Sequence, residues 1–145
     1  MSLLTPTAAH FRKAAASSPQ QACVMVYRDD HRTLLWDDKL AGPVDTAAHP
    51  VPLDECLTLD HDQFDALQDA IRADLPVHGA LTIDRRLDGL YEFSATPECR
   101  AAAGTARLAF DHREYTAFVL AVRHREFERS TFFSPIPVEG AVSMN

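Results

Sequence analysis

The sequence predicts an α+β fold, in which two pseudo-symmetric repeats of a β-hairpin and an α-helix form one small antiparallel sheet packed against two helices. Pairs of short apolar runs are separated by polar turns, as in β-hairpins. Each pair is followed by a helix-capping pattern and an apolar stripe of helical spacing. The same order occurs twice along 145 residues, a length that can bury a sizeable core without a metal or a disulfide.

The first hairpin is predicted within residues 23–36. Residues 23–27 (CVMVY) and 33–36 (TLLW) are apolar runs of strand length, and the charged residues 28–32 between them form a polar turn. Residues 41–55 contain Gly42, Pro43, Pro50 and Pro52 and show no regular period, which is typical of a loop.

The first helix is predicted to begin after Asp60, because aspartate is a good N-cap and Gln63 completes a capping box. A helix usually ends at or before the residue that precedes a proline. The first helix is therefore predicted to end at the residue before Pro76. The apolar stripe is spaced by three and four residues and consists of Phe64, Leu67, Ile71 and Leu75.

The second half repeats this plan. Residues 80–83 and 90–93 are predicted strands around a polar turn at residues 84–89, and a loop and a short apolar stretch at residues 107–110 follow. Asp111 and Glu114 repeat the capping pattern. Residues 117–122 (AFVLAV) could form a buried strand or a helix; the preceding cap favours a helix that continues to Arg129.

The two halves align as sequences. Placing Leu57 on Leu108 matches the N-cap aspartates and the apolar positions of the two helices, and a longer offset places residues 34–35 on residues 90–91. An internal duplication is therefore predicted. We divide the chain into an N-terminal segment (1–20), a first repeat (21–76), a second, degenerate repeat (77–129) and a C-terminal tail (130–145).

The charge balance disfavours direct binding to nucleic acid or to an anionic membrane. The net charge is −7, and residues 1–76 carry six basic against twelve acidic side chains. Nucleic-acid binders present a basic face to the phosphates, for which only Arg85 with Arg86 and Arg107 with Arg113 are candidates here. An acidic chain is compatible with a basic protein partner.

We expect a cytoplasmic location. The longest apolar run, at residues 117–122, is too short to span a bilayer. The N-terminus lacks a basic stretch followed by a hydrophobic core, so no signal peptide is predicted.

The ionisable residues do not form a recognised catalytic or metal-binding pattern. Cys23, Cys56 and Cys99 have no CxxC spacing, and none of the seven histidines has HExxH spacing. His61 and His112 each follow an N-cap aspartate and are predicted to be exposed. We therefore expect no catalytic residue, no cofactor and no metal, and a non-enzymatic protein.

Trp36, Asp37, Asp38 and Lys39 are the first candidate protein-interaction residues. Tryptophan is enriched in interface hot spots, and here it is flanked by charges. The alternative is a core tryptophan at the end of a strand, with the charges in solvent.

Phe132 and Phe133, in an apolar tail interrupted by prolines, are the second candidates. This tail could pack onto the protein's own sheet or lie across a partner as an extended segment. A homodimer that covers exposed sheet edges is a further possibility.

Several motifs resemble those of an actinobacterial family, domain of unknown function 397. Residues 11–26 (FRKAAASSPQQACVMV) resemble its opening, and residues 35–39 (LWDDK) resemble its Val-Arg-Asp-Ser-Lys element. The segments that begin at Leu57 and Leu108 look like two copies of its closing helix. Met25 and Asp38 depart from the family pattern, and the second copy lacks the opening and the Asp-Ser-Lys element.

The resemblance implies a regulatory function. Members are small cytoplasmic proteins, often encoded beside helix-turn-helix transcription regulators that they are thought to bind in development and antibiotic control. A helix-turn-helix regulator, bound through the acidic surface of the first repeat, is therefore the expected partner. A toxin–antitoxin or immunity-type partner is the alternative, and a small enzyme is a third possibility.

Overall fold

The α+β class is confirmed by the computed structural model, which describes residues 11–14, 24–37, 51–77 and 79–132. Each repeat builds a three-stranded antiparallel sheet followed by a twelve-residue helix. The two helices pack against each other. The sheet that we expected to be single is thus divided in two, because each short third strand pairs with its own hairpin and then leads directly into a helix.

The first sheet has the order β1 (Val24–Arg28), β2 (Thr33–Asp37) and β3 (Leu57–Leu59). A 3-10 turn at Leu53–Glu55 precedes β3, and helix α1 (His61–Arg72) follows it. Every residue of β2 is buried, because apolar side chains cover both faces of this sheet.

The second sheet has the order β4 (Leu81–Arg85), β5 (Tyr91–Ala95) and β6 (Arg107–Phe110). Short helix α2 (Arg100–Ala103) lies between β5 and β6, helix α3 (His112–Arg123) follows β6, and short helix α4 (Arg129–Phe132) comes last.

The two long helices begin as the sequence predicts. Gln63 N donates to Asp60 Oδ1 at 2.7 Å and Gln63 Oε1 accepts from Asp60 N at 2.9 Å. Asp111 and Glu114 form the same pair of bonds at 2.8 and 2.7 Å. Both N-termini therefore have complete capping boxes, fifty-one residues apart.

The register of the strands corrects the alignment of the hairpins. Leu35 pairs with Leu57, and Phe93 pairs with Leu108, so Leu35 corresponds to Phe93 rather than to Tyr91. The difference is two residues. Because side chains alternate with a period of two, such a shift keeps the same face inward and leaves the apolar pattern unchanged.

Both helices end earlier than the sequence predicts. α1 ends at Arg72 rather than at the residue before Pro76, and α3 ends at Arg123 rather than near Arg129. In each case the chain turns through a residue with a left-handed backbone conformation, Asp74 after α1 and Arg125 after α3. Each helix therefore ends before the proline or the end of the charged run is reached.

The main hydrophobic core is shared by both repeats and lies between the inner faces of the sheets and the helices α1 and α3. A second core covers the outer face of the first sheet and is built from Phe11, Met25, Leu34, Trp36, Val51 and Cys56, with Tyr27 packed against it. Among the helices in the described ranges, none has the length and apolar character needed to cross a bilayer.

Candidate partner-binding groove

The C-termini of α1 and α3 share one hydrogen-bonding pattern. Asp74 N donates to Ile71 O at 3.2 Å and Leu75 N donates to Ala70 O at 2.9 Å. The amides fifty-one positions later form the same two bonds at 3.1 and 2.9 Å. This is a Schellman motif at both ends, so the offset of fifty-one holds from the third strand to the residues beyond each helix.

Two equivalent arginines link the helix ends to each other. Arg72 Nη1 donates to Val122 O at 3.1 Å, and Arg123 Nη2 donates to Asp74 Oδ1 at 2.8 Å. Each arginine thus reaches the C-terminal region of the other helix, where a cation is favoured by the helix dipole. These bonds fix the two repeats in a pseudo-two-fold arrangement.

Beyond the helices the two repeats diverge in sequence, and one of the differing pairs lies at the edge of the core. The offset of fifty-one places Pro76 on Phe127. Phe127 is buried, and its ring stacks on Phe118 with the centroids 5.7 Å apart. Its carbonyl accepts a hydrogen bond from Arg28 Nη1 at 2.9 Å. The segment after α3 therefore closes over the first repeat.

Arg28 is the centre of a buried polar network that the sequence did not predict. The sequence places it in a polar turn, yet it is the last residue of β1 and only 2% of its surface is exposed. Its guanidinium lies 4.9 Å from the centroid of the Phe64 ring, and Nη2 lies 3.0 Å from Asp65 Oδ1. A buried arginine needs such partners, because an unpaired charge in the interior is strongly destabilising.

His61 belongs to the same network, which corrects our expectation that it is exposed. Nε2 lies 2.7 Å from Asp29 O and must donate to it, because a carbonyl only accepts. Nδ1 is then the acceptor for Thr33 Oγ1 at 3.1 Å and for Arg28 Nη2 at 3.3 Å. His61 therefore ties the first helix to the first hairpin and has no free nitrogen for proton transfer.

The corresponding positions of the second repeat form an aromatic surface. The registers place Arg85 on Arg28 and Tyr91 on Thr33, and the helix offset places His112 on His61. Arg85 and His112 are exposed, as we expected for His112. The Arg85 guanidinium lies 5.5 Å from the Tyr91 ring centroid.

Tyr115, which corresponds to Phe64, continues this surface towards the C-terminus of α1. Its ring stacks on Tyr91 with the centroids 4.2 Å apart. Burial raises the pKa of Tyr115, and the neighbouring Tyr91 raises it further, so the Tyr115 phenol stays a neutral donor in ordinary buffers.

An open groove adjoins Tyr115 and is the candidate functional site. Its volume is about 380 Å³. Leu75 at its rim has 61% of its surface exposed. The lining residues come from the end of α1, the chain that follows it, β4 and α3: Ile71, Asp74, Leu75, Pro76, Val77, Ile83, Tyr115, Val119 and Arg123. We call this set the open groove.

The open groove corresponds to the place that the segment around Phe127 covers in the first repeat. Proline at position 76 is smaller than phenylalanine and does not reach across the sheet. The second repeat therefore has an open depression where the first has packed core. The large side chain of Phe127 fills the space at the first repeat, whereas the small ring of Pro76 leaves the equivalent space at the second repeat empty.

Trp36 lies in the second core rather than at the surface. Only 2% of it is exposed, its ring centroid is 5.5 Å from that of Phe11, and Nε1 donates to Glu55 Oε1 at 3.2 Å. Asp37 is 5% exposed, at the end of β2. Of our two interpretations, the core tryptophan fits this environment. Asp38 and Lys39 lie outside the described residues.

Phe132, the other candidate, packs partly buried against the main core. The Arg12 guanidinium lies 4.4 Å from its ring centroid. Phe132 therefore packs on the protein itself, whereas the tail beyond it, on which our two interpretations differ, lies outside the described residues. Phe133 lies outside the described residues.

Sequence patterns missed the open groove because it is lined by residues from four separate parts of the chain. One available signal was the mismatch of Pro76 and Phe127 under the offset of fifty-one. Among the residues that the structure describes, no three His, Cys, Asp or Glu side chains are grouped as a metal site would require.

Comparisons with protein-family models, with curated proteins and with solved structures found no match to the chain. The resemblance to domain of unknown function 397 therefore stays a prediction.

Proposed function

We propose that this protein is a non-enzymatic regulatory module that binds a partner protein through the open groove. The observation that carries the proposal is the difference between the two repeats at one equivalent position, which is covered by the chain around Phe127 in the first and open in the second. An apolar depression with a few charged groups at its rim is a usual form of a recognition site.

The positions of the ionisable groups also favour binding over catalysis. Arg28 and His61, the most deeply buried of the described basic side chains, are held by structural hydrogen bonds. In the open groove, Arg123 bonds to Asp74. Neither set combines a nucleophile with a positioned base.

The partner that we propose is a helix-turn-helix transcription regulator. This choice rests on the resemblance to domain of unknown function 397. The sequence placed the candidate interface on the first repeat, where Trp36 is buried. We now propose that the interface is the open groove at the second repeat.

Co-purification of the tagged full chain with the helix-turn-helix regulator encoded beside its gene tests the proposal. The Leu75→Asp variant places a charge in the groove and is expected to weaken binding about tenfold or more, because an unpaired carboxylate opposes an apolar contact. Leu87→Asp is the matched control, since Leu87 is fully exposed and does not line the open groove.

Thermal unfolding of both variants verifies that they are folded. Failure of any such regulator to co-purify, together with DNA binding by the chain alone, would refute the proposal. Toxicity on overexpression that the neighbouring gene relieves would support the toxin–antitoxin alternative instead.

A further inference from the structure

The pairing of β4 with β5 determines which backbone groups of β4 face outward. At one end of this hairpin Arg86 N donates to Leu90 O at 2.7 Å, and at the other Thr96 N donates to Ala80 O at 2.9 Å. Hydrogen-bonded and non-bonded pairs alternate along an antiparallel ladder. The even-numbered residues of β4 therefore bond to β5.

The N–H and C=O groups of the odd-numbered residues, Leu81, Ile83 and Arg85, consequently point away from β5. In the described ranges no residue bonds to them. An edge of this kind is a template for one further strand. It also borders the open groove, since Ile83 belongs to both.

In the first repeat the equivalent edge is occupied. Arg12 N donates to Val26 O and Val26 N donates to Arg12 O, both at 2.8 Å, in an antiparallel bridge. Val26 pairs with Leu35, and Ile83 pairs with Phe93, so Val26 and Ile83 are equivalent. The chain thus contains its own example of a segment added beside this edge.

The alternation of residues 11–14 shows which side chains such a segment presents. The ring of Phe11 lies 5.5 Å from that of Tyr27 on the outer face, whereas Ala14 is buried in the main core. Arg12 points inward as well, because its guanidinium lies over Phe132. Successive residues of an added strand therefore face outward and inward by turns.

The outer-face position differs in charge between the repeats. Asp84 stands where the first repeat has Tyr27, by the same register. Its carboxylate is exposed, and its one described side-chain contact is the hydroxyl of Thr82, at 3.3 Å. A basic residue opposite Asp84 would form a cross-strand ion pair, the favourable counterpart of the aromatic pair in the first repeat.

The inner-face position is apolar. A residue bonded to Ile83 projects towards Tyr115 and Val119, which line the open groove. A large apolar side chain there would fill the depression, as the segment around Phe127 does in the first repeat.

We propose that the partner contributes an extended segment, which adds to the outer edge of β4 as an antiparallel strand. The segment carries a basic residue opposite Asp84 and then a large apolar residue opposite Ile83, with its side chain in the open groove. The inference rests on the proposed function and specifies its mode of binding, which is β-strand addition.

Random peptides displayed on phage, selected on the immobilised full chain, provide the probe. Enriched peptides are expected to contain a basic residue followed by a large apolar one. Selection on the Asp84→Lys variant is expected to replace the basic residue by an acidic one, because the charge at this position is reversed.

An enriched peptide, labelled with fluorescein, is then titrated with two variants of one residue. Arg85→Pro removes an outward N–H without breaking the ladder to β5, since proline is tolerated at such an edge position. We expect binding about tenfold weaker or worse. Arg85→Ala removes the same side chain but keeps the N–H, and its affinity is expected to stay within about threefold of the unmodified chain.

Amide hydrogen exchange of the unmodified chain gives a readout that does not depend on variants. Binding of the peptide is expected to slow exchange at Ile83 and to leave Thr82, which already bonds to β5, unchanged. No enrichment, equal binding to Arg85→Pro, or unprotected Ile83 would each overturn the proposal. Protection of Ile83 in a concentration-dependent dimer, without peptide, would assign the edge to a second copy and overturn it as well.

The same variants separate this inference from the proposed function. A regulator that co-purifies equally with Arg85→Pro and Arg85→Ala refutes strand addition but leaves the binding module in place. If no regulator co-purifies with the unmodified chain or with either variant, the proposed function itself is refuted.

Discussion

Asp74 and Arg125 adopt the same left-handed backbone conformation, with φ of 58° and 61°, at equivalent positions after the two long helices. Glycine is the usual residue at this position of a Schellman motif, because a Cβ atom is strained there. Neither repeat uses glycine. The two helices are thus stopped by one geometry, at some cost in stability.

Arg125→Gly is expected to raise the free energy of unfolding by about 0.5–1 kcal/mol. Relief of the left-handed strain, about 1–2 kcal/mol, exceeds the loss from the greater freedom of glycine in the unfolded chain. The exposed pair of Arg125 with Glu128, at 3.4 Å, contributes little. Urea unfolding measures the change. Arg125→Ala is the control, since it keeps the Cβ atom; an equal gain from alanine would contradict the explanation.

Gln68 is completely buried, and neither its amide oxygen nor its amide nitrogen has a hydrogen-bond partner among the described residues. Its equivalent in the second repeat is Val119. Gln68→Met has nearly the same shape without the polar groups. We expect it to raise the free energy of unfolding by about 1–2 kcal/mol, because the desolvation penalty of the amide disappears.

Gln68→Glu is the contrasting variant, and it is expected to be strongly destabilising because it buries a carboxyl group. Thermal and urea unfolding of the two variants measure both effects. A destabilised methionine variant would show that the amide contributes to stability after all.

His61→Ala is expected to lower the free energy of unfolding by about 2–3 kcal/mol. The substitution removes the imidazole nitrogen that accepts from Thr33 and Arg28, and it creates a void. His112→Ala is the matched control at the exposed equivalent position, with an expected change within about 0.5 kcal/mol. Equal effects of the two substitutions would contradict the assigned role of His61.

Cys56 is expected to resist alkylation in the folded protein. Burial, and next the charge of Glu55, raise the pKa of its thiol from 9.0 to about 12. The reactive thiolate is then about one part in ten thousand at pH 8. Iodoacetamide labelling followed by peptide mass spectrometry should modify Cys99, which is only half-buried, well before Cys56. Equal rates in the native protein would contradict this environment.

The same shift predicts the pH dependence of stability. Because the folded state keeps the Cys56 proton to higher pH than the unfolded state, this contribution is complete below pH 9.0 and is lost as the pH rises towards about 12. Urea midpoints of the unmodified chain should fall more steeply over this range than those of Cys56→Ala. Parallel curves would show that the thiol is not the responsible group.

The sequence by itself determined the class of fold, the two hairpins, the two capping boxes and the duplication that relates them. These features depend on residues close together in the chain, such as Asp60 with Gln63 and Asp111 with Glu114. Their hydrogen bonds are local, so spacing alone reveals them. The sequence did not predict the short third strands, β3 and β6, because three or four residues before a helix cap are too few to show a strand periodicity.

Only the tertiary structure decided which of two equivalent positions is buried. His61 and His112 have the same local sequence environment, yet one lies in the Arg28 network and the other in solvent. The difference arises because Arg28 and Thr33 of the first hairpin bond to His61, and the Phe127 carbonyl holds Arg28 in place. An exposed Arg85 and a half-buried Tyr91 stand at the equivalent positions of the second repeat. Burial depends on what packs from elsewhere in the chain, and neither capping nor periodicity records it.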